Sequence, residues 1–127
     1  MGILTGVAAR ILFSIPFLAF GIRYLMHANQ MASAYTIPGG VIWVYLTGII
    51  FILAGIAAIT KFRGKPLMIL VALWLIIFAF ILHLPGMTGS DAALKMAGEV
   101  NFYKDLGLAG GALVLAGLFG NEKKTAV

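Results

Sequence analysis

Four long apolar runs, separated by short polar stretches, divide this chain of 127 residues. The first extends from Val7 to about Met26 and holds the uninterrupted stretch Ile11–Ile22, bracketed by Arg10 and Arg23. A helix over that stretch rises only about 18 Å against a hydrocarbon core of about 30 Å, so both arginines must reach outward from near the interfaces. Pro16 predicts a kink near the middle. The small-residue string Ala32-Ser33-Ala34 resembles a signal-peptide cleavage site, but Arg23 follows the apolar stretch and argues for a retained span.

The second run, Val41–Thr60, carries no formal charge and is long enough to span. The turn "TIPGG" (36–40) precedes it, with Pro38 suited to a helix start. The third run, Pro66 to Leu84, also opens on proline and closes at His83 and Pro85. The fourth, Leu106–Phe119, amounts to about 21 Å of helix and spans only if it extends back to about Asn101. That extension draws Lys104 and Asp105 into the interfacial zone. Residues 91–100 place Leu94, Ala97 and Val100 at helical spacing and predict a small separate interfacial helix. The pattern therefore predicts an all-α, four-helix transmembrane bundle in a single domain over 1–127, with spans near 7–26, 41–60, 66–84 and 101–119.

Composition agrees. The chain is 62% hydrophobic and 10% charged, with a mean hydropathy of +1.08, well outside the range of a soluble domain. It has no cysteine, which removes disulfides, thiolate metal sites and thiol relays. The net charge of +5 does not indicate nucleic acid, because the basic residues stand at the ends of apolar runs rather than on one polar surface. Membrane lipid headgroups are the expected counterions. Counting Lys and Arg near the spans sets Arg10, Lys61, Arg63, Lys65, Lys123 and Lys124 on one side against Arg23, Lys95 and Lys104 on the other. The excess predicts both termini inside.

The charges near the end of the fourth run are the most informative chemistry, since ionisable groups at membrane depth are costly and are usually paired, hydrated or functional. Asp105 is the only acid close to a span on its side, which makes Arg23 its expected partner in a clamp. Ligand or partner binding and separate headgroup contacts are the other readings of these residues. His27 lies four residues after Arg23 on the same helical face, and His83 closes the third run at the same level. With Asp105 the two histidines lack the spacing of a specific metal motif, so hydrogen bonding or contact with a polar lipid or quinone-like head is expected of them. Tyr24, Tyr35, Trp43, Tyr45 and Tyr103 gather toward that end as an aromatic belt, while Arg10 reads as a snorkelling residue.

Gly107, Gly110, Gly111 and Gly117, with Val114, share one arc of the fourth helix and predict close approach of another helix, from this chain or a second copy, with a lipid or cofactor tail in the glycine groove as the other reading. Gly48 and Gly55, in the second helix, are the expected partners. No nucleophile elbow, Walker loop, dinucleotide motif or catalytic carboxylate pair occurs, so nothing supports an autonomous enzyme.

Three segments together resemble the DoxX family of small four-helix membrane proteins: "RILFSIPFLAFGIRYL" (10–25), the proline-led, glycine-containing second helix, and "NFYKDLGLAGGALVLAG" (101–117). The resemblance runs over nearly the whole chain and is most specific in the last segment. It implies a bacterial inner-membrane protein, in some members a subunit of quinone-linked oxidoreductases or of membrane oxidative-stress complexes. Quinone is the cofactor and an oxidoreductase subunit the partner it suggests. On the family pattern Arg10, Gly21, Arg23, Lys104, Asp105, Gly110 and Gly111 are the positions carried over, as structural or site candidates.

Overall fold

A computed structural model describes residues 2–34 and 40–125, all helical elements and their connections. Helix α1 covers Leu4–Met26, α2 is the short Ala28–Ala34, α3 is Val41–Thr60, α4 is Gly64–His83, and α5 is Ala92–Thr125. A single helical turn, Leu84–Gly86, follows α4. Helices α1, α3, α4 and α5 are each long and apolar enough to cross a membrane, as an integral membrane protein requires. Tyr35 and residues 36–39 of the expected turn lie outside the described residues.

The helices differ from expectation at three places. Helix α1 begins earlier than Val7, opening with a wide turn over Leu4–Ala8. Residues 28–34 form α2 rather than a plain connection. The expected interfacial helix at 91–100 is the first part of α5: Asp91 accepts hydrogen bonds from the Ala93 and Leu94 N–H groups, and the helix continues unbroken through Lys104 and Asp105. An aspartate accepting from the first turn satisfies N–H groups that have no intrahelical partner. No proline or turn sequence intervenes before Asn101, so nothing interrupts the backbone ladder.

Packing organises the four spans as two tight pairs. Helix α1 lies on α3, and α4 lies on α5, with a smaller α3–α4 joint. In the first pair the backbones nearly touch. A Cβ built on Gly21 would stand 2.9 Å from the Gly48 carbonyl oxygen, and one on Gly55 would stand 2.7 Å from Leu18. Such approach is how spans associate where lipid supplies no hydrophobic drive. In the second pair Met68, Val71, Ala72, Leu75 and Ala79 face Ala109, Ala112, Ala116 and Phe119, all buried. Between the pairs, the Trp74 indole N–H donates to the Thr47 hydroxyl at 2.9 Å, which in turn donates to the Trp43 carbonyl at 2.7 Å. Two polar groups that would be costly in an apolar interior thus satisfy each other.

Arg10 does more than snorkel. Its guanidinium donates to the Ile59 carbonyl at 2.8 Å and the Ala58 carbonyl at 3.4 Å, two of the last carbonyls of α3. A cation there meets unpaired acceptors and the negative end of the helix dipole. The chain then reverses through Lys61 and Arg63, both with positive φ.

The glycine face of α5 is not where the sequence suggested. A Cβ on Gly107, Gly110 or Gly117 would meet nothing within 4 Å, and only Gly111 has a neighbour, the Phe13 ring at 3.3 Å. Gly48 and Gly55 are occupied by α1 instead. Helix α5 turns its alanines, not its glycines, toward α4, because the positions 105, 109, 112, 116 and 119 form the continuous buried stripe. Gly110→Ala should therefore leave the melting temperature in detergent unchanged or raise it slightly, since alanine is favoured over glycine in a helix by about 1 kcal/mol. A marked loss of stability would instead put a second chain on that face.

Candidate functional site

The Arg23 end of the bundle holds the only concentration of polar side chains among the described helix interiors. Helix α4 contributes His83 through its last turn, Ala79–His83, which is wider than an α-helical turn and in which the Leu84 N–H reaches back to the Ala79 carbonyl. Wide turns of this kind recur at functional sites. Pro85 comes directly after, and in a regular α-helix its ring would crowd the carbonyl four residues back. The widened turn sets His83 inward, and it is only 9% exposed.

Opposite it on α5 stands Asp105, 4% exposed. His83 Nε2 and Asp105 Oδ2 are 3.1 Å apart, and Lys104 Nζ lies 3.8 Å from Asp105 Oδ1. The expected Arg23–Asp105 clamp is thus replaced by a His83–Asp105 pair with Lys104 at its edge. The reason lies in the helix faces. Asp105 shares the buried stripe that α5 presents to α4, whereas Lys104 and Gly111 look toward α1: Lys104 Nζ sits 4.8 Å above the Phe20 ring. Arg23, on α1, therefore lies across from the neighbour of Asp105 and not from Asp105 itself. Lys104 also donates to the Asn101 amide oxygen at 3.2 Å. Lys104 thus touches both α1 and Asp105.

Two adjoining spaces follow from this arrangement. Because α1 and α5 meet through side chains and not backbones, they leave a cavity of about 340 Å³ beside α2, lined by Phe20, Arg23, Tyr24, His27, Gln30, Met31, Asn101 and Lys104. That volume is in the range of small-molecule sites. Behind it, sharing Phe20, Tyr24, Asn101 and Lys104, is a chamber of about 50 Å³ that also touches His83, Asp105 and the rings of Phe17, Phe51 and Phe78. A chamber of that size holds a few water molecules with polar partners and no ring or chain.

Of the residues singled out from sequence, Arg23, His27 and Lys104 are brought to the larger cavity, and His83 and Asp105 to the smaller one. Tyr24 belongs to both, while Trp43, Tyr45 and Tyr103 are exposed at the same end. Phe20 and Gln30 were not anticipated. The spacing of Phe20, Arg23 or Tyr24, and His27 on one face of α1 was the available signal for the first; nothing in the composition of residues 28–34 marked the second. Among the described residues no three His, Asp or Glu side chains gather as a metal ion's ligands would. Comparison with family models, with curated proteins and with solved structures gives no match, so the likeness to the DoxX family rests on the three segments that carry it.

Proposed function

We propose that this chain is a bacterial inner-membrane protein with both termini inside. It holds an amphipathic ligand in the cavity between α1, α2 and α5, and serves as a non-catalytic accessory or anchor subunit of a quinone-linked redox complex. The observation that carries the reading is the cavity itself: about 340 Å³, polar along Arg23, His27, Asn101 and Lys104, apolar along Phe20, Tyr24 and Met31. A site with both characters suits a molecule with a polar head and an apolar body. The orientation rests on the excess of Lys and Arg at the opposite end. The redox assignment rests on the resemblance in residues 10–25 and 101–117.

Native mass spectrometry of mildly solubilised protein tests the ligand and the partnership in one spectrum. The expected result is a stoichiometric lipophilic adduct on the chain, together with an oxidoreductase partner. An adduct without any partner would favour the second reading, a non-redox lipid-binding protein or carrier. That reading is supported by the basic lining of the cavity. A bare chain with neither adduct nor partner would leave a structural role and overturn both.

A further inference from the structure

The cavity between α1, α2 and α5 carries a charge its surroundings do not balance, and from this we infer that its occupant presents a phosphate group: an anionic phospholipid head held by Arg23 and Lys104. The inference rests on the reading of that cavity as a ligand site and specifies what enters it. Three basic side chains, Arg23, His27 and Lys104, line the space with the amides of Gln30 and Asn101, and no carboxylate does. Asp105 lines the smaller chamber instead, with His83 Nε2 3.1 Å from its carboxylate.

That separation decides the class of ligand. Had Asp105 faced Arg23, the two charges would have cancelled at the mouth of the cavity and left a nearly neutral site. Instead Arg23 has no carboxylate against it among the described residues, while Lys104 keeps only a 3.8 Å contact with Asp105 and remains 38% exposed at its side chain. A guanidinium presents a planar fork of donors that matches phosphate oxygens, and an ammonium at the opposite wall adds a second point charge. Lys104 is positioned for this by the Phe20 ring beneath it and the Asn101 amide beside it. Phe20, Tyr24 and Met31 supply the apolar wall against which the glycerol and first methylenes of such a lipid would lie. A neutral head, a quinone ring included, would displace water from Arg23 and give it no counter-charge in return, which is the unfavourable arrangement.

The experiment is a titration of the full chain in neutral detergent micelles, read by native mass spectrometry. Four probes are used: phosphatidylglycerol, phosphatidylcholine, an isoprenoid quinone and inorganic phosphate. Phosphatidylglycerol should give a single retained adduct at least about tenfold tighter than the other three, the difference expected of charge-assisted bonds. Arg23→Gln should weaken it by about tenfold, Arg23→Lys should keep part of it, and Lys95→Gln, outside the cavity, should change nothing. Melting curves of each variant establish that it folds; Arg23 is exposed, so its loss should be tolerated. Equal binding of phosphatidylcholine or quinone, or indifference to Arg23→Gln, overturns the headgroup assignment alone. Inorganic phosphate binding as tightly as the lipid overturns the amphiphile and leaves a free anion. If no amphiphile binds, the cavity is not a ligand site and both readings fall together.

Discussion

Replacing His83 with leucine is expected to lower the unfolding free energy by about 1–3 kcal/mol, the cost of leaving a buried polar group without its partner. Asp105 is 4% exposed and its Oδ2 lies 3.1 Å from His83 Nε2, so leucine would deprive a buried carboxylate of that neighbour in a small chamber walled on one side by Phe17, Phe51 and Phe78. Lys104 softens the loss, because its Nζ is 3.8 Å from the other carboxylate oxygen. Asp105→Leu should also destabilise the protein, because the His83 imidazole loses its carboxylate neighbour. The double variant His83→Leu/Asp105→Leu should recover most of the loss, since two apolar side chains in place of a buried pair are often nearly neutral. Denaturant or thermal unfolding of the four proteins in one detergent gives the coupling directly. Costs that simply add would show that the two groups do not depend on each other, and the pair would lose its place as the organising contact of this end.

How far the sequence led can be judged from α5. The four spans follow from apolar length, which is a property of single segments and needs no neighbour to be known. Arg23, His27, His83, Lys104 and Asp105 were likewise assigned to one end, because helical rise alone sets depth. What depth does not set is rotation. The glycines of α5 were given the packing face on the expectation that small residues mark an interface, yet the buried stripe is Asp105, Ala109, Ala112, Ala116 and Phe119. Alanine also permits close approach, and the choice between the two stripes is made by Met68, Val71 and Leu75 of α4, far away in sequence. The same rotation takes Asp105 away from Arg23 and gives it to His83. One angle thus accounts for the misplaced glycines and the misassigned partner alike. The widened turn at Ala79–His83 had a visible cause in Pro85, but which way it would turn His83 depended on tertiary contacts.

The strongest steric test lies in the other pair of helices. Gly21→Ala should destabilise the protein by about 1–3 kcal/mol, and Gly21→Leu should prevent the α1–α3 pair from forming, because the added carbon has no room that a side chain can vacate. Its Cβ would come within 2.7 Å of Ile52 Cγ1, 2.9 Å of the Gly48 carbonyl oxygen and 3.2 Å of the Ile52 nitrogen. Two of those three atoms are backbone, so α1 and α3 must separate along their contact. Separation forfeits the dispersion contacts that hold spans together when lipid offers no hydrophobic drive. The intrinsic preference for alanine in a helix returns about 1 kcal/mol and sets the lower end of the range. The cavity should respond as well, since Phe20, Arg23 and Tyr24 ride on the same helix beside Gly21. Gly21→Ala is therefore expected to lower the melting temperature and to weaken adduct retention together, whereas Gly110→Ala, with open space around it, should do neither. Equal behaviour of the two variants would mean that α1 and α3 do not meet at Gly21.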